Sequence, residues 1–182
     1  MPNQIPAIFL DRDGVINYNR HDYIKSWDEY VFLPGVVAAL KRVARSKYWI
    51  VVISNQSSIG RGLMTKEAVE EINALMRAEI ERQGGRIDAI FYCPHTPEDH
   101  CDCRKPQPGM FFQAASELGI DLANSFFIGD AVSDIQAAFN AGCKPVMVLT
   151  GLGETQLQNH QLGETIPVVE DLTAALDLIL DN

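Results

Sequence analysis

Apolar and polar positions along the chain alternate between two patterns. Short continuous apolar runs are separated by longer stretches with a repeat near 3.6 residues. The run IPAIFL at 5–10 is unbroken and stops at Asp11, which predicts a strand buried on both faces. Further strands are predicted over 48–54, 87–92, 124–129 and 145–149, with a short one near 166–169. Helices are predicted over 35–46, 65–84, 108–118, 133–142 and 171–180. In the first, Val36, Leu40 and Val43 share a face. The strongest is 65–84: Thr65 serves as N-cap, Glu67 sits in the first turn, and Val69, Ile72, Leu75, Met76 and Ile80 make the stripe. Gly84 ends it, Pro108 suits the first turn of its helix, and Gly119 and Gly142 close theirs.

Strands alternating with helices predict an α/β fold, a Rossmann-like, doubly wound, three-layer parallel sheet, as one domain over 1–182. Two connections are long, 11–34 and 93–107, and function gathers in such loops beyond the carboxyl ends of strands.

Composition narrows the classes. The 182 residues are 47% hydrophobic, enough for a core, and the formal net charge is −9. That balance argues against nucleic acid and anionic membranes as partners, while leaving open an anionic substrate in a cleft held by local cations or a metal. There is no apolar run of spanning length and no basic start followed by a long apolar segment, so a cytoplasmic protein is expected. In a reducing compartment, clustered cysteines read as metal ligands before disulfides.

The carboxylates carry the first chemistry. FLDRDG places Asp11 and Asp13 just past the first strand, and FIGDAVSD places Asp130 and Asp134 just past the fourth. Each aspartate alone reads equally well as a turn or helix cap. As a set they repel one another strongly, and a hard cation such as Mg²⁺, which takes oxygen ligands, resolves that. Ser54 and Asn55 end the second strand, where a hydroxyl and a backbone N–H suit a phosphoryl oxygen. Lys105 follows the third strand and brings a positive charge.

A DxD, a serine, a lysine and a GDxxxD at successive strand ends resemble the haloacid-dehalogenase (HAD) superfamily of aspartyl-phosphate phosphatases, over residues 5–150. The resemblance implies catalytic roles for Asp11, Asp13, Ser54 and Lys105. Asp11 would be the nucleophile and Asp13 the acid and base. Mg²⁺ would be held by Asp11, Asp130 and the Asp13 backbone carbonyl, with Asp134 supporting from behind. Ser54 and Lys105 would balance charge on the phosphoryl group.

FYCPHTPEDHCDCRKPQPG, from 91 to 109, holds three of the four cysteines. Cys93, His95, Cys101 and Cys103 supply the ligands of a closed, structural Zn²⁺ site, with His100 the rival imidazole. Such a metal would fix the backbone ahead of Arg104 and Lys105. Cys143 reads as a plain core residue. The zinc loop, with no insertion of cap-domain size, resembles the small, essentially capless branch containing heptose-bisphosphate 7-phosphatases and histidinol-phosphate phosphatases. AIFLDRDGVIN, SNQSSIGRG and CDCRKPQPGM favour the heptose group. Substrate contacts are then expected from Arg12, from Arg20, His21, Asp22 and Tyr23 wrapping the sugar, from Asn55, Gln56, Ser57 and Arg61, and from Arg104 at a second phosphate or sugar hydroxyl. The five residues between His95 and Cys101 are more like the histidinol-phosphate group, and Ala131 stands where some heptose phosphatases carry lysine. A phosphorylated sugar as substrate and a monomeric state are expected. A non-catalytic zinc-loop binding module is the alternative from another class.

Overall fold

The continuous apolar runs become the sheet. The computed structural model describes residues 4–160 and 166–181. Strand β1 (Ala7–Leu10) is fully buried and lies between β2 (Trp49–Asn55) and β4 (Phe126–Gly129). Outside these run β3 (Ala89–Cys93) on one side, and β5 (Lys144–Val148) and β6 (Val168–Val169) on the other. The order is β3-β2-β1-β4-β5-β6, and every pairing is parallel. The order reverses at β1, so a crevice opens beyond the carboxyl ends of β1 and β4.

Both faces are covered, which is why the strands read as unbroken apolar runs. Ile8, Leu10, Ile50 and Val52 face one core with α1 (Val36–Val43), α2 (Lys66–Arg82) and α6 (Leu172–Leu180). Ala7, Phe9, Val51 and Ile53 face the other with α3 (Gly109–Leu118) and α4 (Val132–Ala141). There Phe111 meets Phe9 and Phe127 edge-on at centroid distances of 4.9 and 5.0 Å, a favoured aromatic geometry.

Local signals account for most boundaries. Thr65 Oγ1 accepts from the Ala68 N–H at 3.2 Å and starts α2. Gly119 and Gly142 end α3 and α4 at φ +68° and +79°. Pro108 is the N-cap of α3 rather than a first-turn residue; its missing N–H costs nothing at either position. On α2, Leu75 lies 37% exposed, whereas Asn73 is buried at 5% between Val69, Ile72 and Met76. The stripe therefore contains a polar residue where the apolar pattern points to Leu75. A short helix, α5 (Gly153–Asn159), was not expected; it buries only Gly153 and so has no apolar stripe to announce it. Neither long connection forms a cap domain. The first, after β1, carries the turn Trp27–Glu29, whose aromatic ring stacks on Tyr30. Cys143 is buried in the second core, as expected. Among the described residues, no helix is long and apolar enough to cross a membrane.

Candidate active site at the carboxyl edge of the sheet

Four strand ends converge on one cleft of about 340 Å³. Its wall includes Asp11 and Asp13 after β1, Ser54 to Gln56 at β2, Arg104 and Lys105 after β3, and Asp130 and Asp134 after β4. One carboxylate oxygen each from Asp11, Asp130 and Asp134 lies within 4.8 Å of the others. All three are buried. Burial, then the opposing pull of Lys105 and push of Asp134, leave the Asp11 carboxyl raised to about 7. Burial and the charges of Asp11 and Asp134 raise that of Asp130 to about 8. Three crowded carboxylates of this kind fit a small hard cation.

The backbone makes room for Asp130. Gly14 (φ +89°) and Gly151 (φ +60°) press against its carboxylate, and a Cβ at either would overlap it. The Leu152 N–H donates to Asp130 Oδ2 at 2.7 Å. Asp134, in the first turn of α4, accepts from the Ala131 N–H at 3.1 Å.

Lys105 is the cluster's internal cation. Its Nζ lies 2.9 Å from Asp11 Oδ1 and 2.7 Å from Asp134 Oδ1, and donates to the Ile53 carbonyl at 3.1 Å. Burial works against its charge, but the two carboxylates outweigh it and hold it protonated. Its backbone is clamped from both sides by Asn55: Oδ1 accepts from the Lys105 N–H at 3.0 Å, and Nδ2 donates to its carbonyl at 3.2 Å.

Asp13 turns away from this cluster. Arg12 Nη2 donates to both its oxygens at 3.0 and 2.9 Å, and Asn17 Nδ2 and Gln56 Nε2 donate at 2.9 Å each. Burial pushes the Asp13 carboxyl up, but Arg12 and these hydrogen bonds prevail and hold it below its ordinary value. Gln56 Nε2 also donates to Ser54 Oγ at 2.7 Å, joining the DxD loop to the end of β2.

Beside the cleft, Cys93, His95, Cys101 and Cys103 close into one cluster. Cys103 Sγ lies 3.1 Å from Cys93 Sγ, 3.3 Å from Cys101 Sγ and 3.2 Å from His95 Nδ1. Cys93 Sγ lies 3.6 Å from Cys101 Sγ and 3.5 Å from His95 Nδ1. At these separations the four atoms are close enough to share one metal centre, and the donor set suits zinc. Of the two candidate imidazoles, it is His95 that joins the thiols.

The comparisons with known proteins agree with this geometry. A family model described as HAD-hydrolase-like matches residues 102–175. D-glycero-beta-D-manno-heptose-1,7-bisphosphate 7-phosphatase of Pseudomonas aeruginosa is 40% identical over 173 residues, covering 95% of this chain and 97% of its own. That of Bordetella bronchiseptica is 42% identical over 175 residues, covering 96% and 98%. The chain belongs to this family of HAD phosphatases. It is a phosphoric monoester hydrolase. The crystal structure of D,D-heptose 1,7-bisphosphate phosphatase from B. bronchiseptica, complexed with magnesium and phosphate, superposes with a TM-score of 0.92 at 41% identity, covering 97% of this chain and 99% of that one.

Other residues expected at this HAD phosphatase's cleft are placed unevenly. Arg20 and Tyr23 line it, and Tyr23 lies within 3.3 Å of Ser57 Oγ through its hydroxyl. Arg104 lines it while donating to the His95 carbonyl at 3.1 Å. Arg12 touches it but is only 2% exposed, with its donors turned inward. Asp22 faces out and pairs with Arg20 and Lys25. His21 lines a neighbouring groove with Tyr18 and Leu152. Arg61 is exposed in the turn after β2, away from the cleft. Sequence reasoning missed Asn17 and Asn73, both buried on the Arg12–Asp13 pair; the signal for Asn73 was a polar residue on the apolar face of α2, and Asn17, in the turn after β1, had none.

Proposed function

We propose that this phosphatase removes the 7-phosphate of D-glycero-β-D-manno-heptose 1,7-bisphosphate through an aspartyl-phosphate on Asp11, in the supply of precursors for bacterial surface polysaccharide. The observation that carries the reading is Asp11 itself: a buried carboxylate at the switch point of the sheet, beside two more carboxylates and one ammonium. The names of the full-length relatives support the substrate.

In this reading Asp11 Oδ attacks phosphorus; Asp13, ionised in the free site, takes up a proton as the anionic ester binds beside it and gives that proton to the leaving sugar oxygen, and Asp13 then takes one from the water that hydrolyses the acyl phosphate. Asp11, Asp130 and the Asp13 carbonyl would hold Mg²⁺, with Asp134 behind them. When bound, that ion neutralises the charge between nucleophile and ester. Phosphorylation of Asp11 removes its charge, which frees the Lys105 ammonium to meet a phosphoryl oxygen; Ser54 meets another. Asn55 fixes Lys105. Arg104 is the cation placed for a second phosphate, with Arg20 and Tyr23 over the sugar. Cys93, His95, Cys101 and Cys103 would hold Zn²⁺, which acts only through the placement of Arg104 and Lys105. One domain, acting as a monomer, completes the site.

Turnover of heptose bisphosphate, its monophosphate and histidinol phosphate by one preparation tests this. The bisphosphate should lead by about tenfold or more in kcat/KM, about 1.4 kcal/mol of discrimination. Faster hydrolysis of histidinol phosphate would overturn the substrate assignment.

A further inference from the structure

The face of α2 toward the sheet carries a polar residue that the mechanism above does not use. Asn73 is 5% exposed, among Val69, Ile72 and Met76. Its Oδ1 accepts from Arg12 Nη1 at 3.1 Å, across 61 residues of sequence. A buried amide on an apolar helix face costs stability unless its hydrogen bond repays it.

The way Arg12 grips Asp13 explains what that bond does. Both Asp13 oxygens are bound to one nitrogen, Nη2, and not to the parallel pair of a two-nitrogen fork. Asn17 Nδ2 and Gln56 Nε2 hold the same two oxygens at 2.9 Å each, so the guanidinium is one of three grips on Asp13. The direction of its grip is set by how its other nitrogens are held. Gln56 Oε1 accepts from the same Nη2 at 3.1 Å, and Nε has no protein partner. Asn73 is left as the side chain that holds the Nη1 end. Arg12, Asn17, Gln56 and Asn73 thus form a buried frame for Asp13, and Asn73 anchors its Arg12 side on a helix that does not itself reach the cleft.

We propose that Asn73 is a positioning residue: through Arg12 it fixes the carboxylate of Asp13 at the angle from which Asp13 protonates the leaving oxygen. The inference rests on the acid role proposed for Asp13. It also gives Arg12 a task other than substrate contact. Loss of Asn73 loosens the Arg12 grip and leaves Asn17 and Gln56 as the fixed donors to Asp13, while Asp11, Asp130, Asp134 and Lys105 stay in place. The damage then falls on proton delivery and spares nucleophilic attack.

Leaving-group dependence reads that difference. An alkyl leaving group such as a sugar oxygen needs the proton; 2,4-dinitrophenolate does not. Asn73→Leu should lower kcat/KM for the sugar phosphate about tenfold more than for 2,4-dinitrophenyl phosphate. Asn73→Ala, with room for a water, reads the same ratio should the leucine variant not melt cooperatively. Asn73→Asp, which keeps an acceptor oxygen for Nη1, should hold the ratio near that of the parent. The proposal is overturned if the ratio is unchanged in both Leu and Ala variants, or shifts as far in the Asp variant. Asp13→Asn in the same assay separates the two levels of the argument. If it shows no leaving-group dependence, the acid assignment itself fails; if it does and the Asn73 variants do not, only the frame fails.

Discussion

The carboxylate cleft and the cysteine loop lie next to each other and are held together by different means. Asp11, Asp130 and Asp134 stand on strand ends and a helix N-terminus, and the fold has already given them a counter-ion in Lys105. Their positions follow from the sheet whether or not a divalent ion is bound. Cys101 and Cys103 stand on an irregular segment between β3 and α3, where Pro97–Asp99 makes a single turn and neighbouring regular elements reach the backbone from Asp102 onward, through Gly109 to the Asp102 carbonyl and Asn55 to Lys105. There only Cys93 stands on a regular element, and the other three donors are placed by the loop. A hard-ligand site can thus be preformed by secondary structure, whereas a soft-ligand loop of this length depends on what it binds.

The largest effect separates chemistry from fold. Asp11→Asn removes the proposed nucleophile and one of three crowded carboxylates. Phosphate release should fall on the order of a thousandfold or more, as when a nucleophile is deleted elsewhere. Melting should stay near the parent's, because the lost Lys105 ion pair is offset by relief of carboxylate repulsion. Near-normal turnover in a folded variant would remove Asp11 from its role.

Chelation attacks the other half. A strong chelator should lower both activity and melting temperature, the latter by on the order of 10 °C if the loop's metal contributes about 3 kcal/mol. Magnesium returned alone should restore neither; zinc followed by magnesium should restore both. Metal analysis of fresh protein showing no zinc, with full activity, would make the two regions alike and end the comparison.

The same contrast explains what could be read from sequence. The cleft was legible because each apolar run stops at a charged or polar residue: Leu10 at Asp11, Ile53 at Ser54, Gly129 at Asp130. Strand ends in a parallel sheet fall on one edge, so no loop geometry had to be known. The cysteine loop was legible from composition alone. What escaped were features set by side-chain direction. Arg12 was expected to contact the substrate, yet Asp13 and Asn73 draw it inward. Asn73 was hidden because a stripe assembled from apolar letters takes in Leu75, although Val69, Ile72, Met76 and Ile80 define a face on which residue 73 lies and 75 does not. His21 and Asp22 belong to a long connection and Arg61 to the turn after β2, whose paths no periodicity encodes.

The smallest effect tests where the two regions join. Asn55 ends β2 and holds the backbone of Lys105 by both its amide atoms, while the cysteine cluster holds the same strand of chain from residue 103. Each net hydrogen bond of this kind is worth about 1 kcal/mol. Asn55→Ala should therefore lower kcat about tenfold and the melting temperature by about 5 °C, since the Lys105 ammonium keeps its three acceptors. The informative comparison is the variant before and after chelation. If the loop metal and Asn55 both serve to place Lys105, the two losses overlap, and chelation should cost the variant less activity than it costs the parent. Losses that simply multiply would mean that β2 and the cysteine loop act on the cleft independently, with Lys105 placed by Asp11 and Asp134 alone.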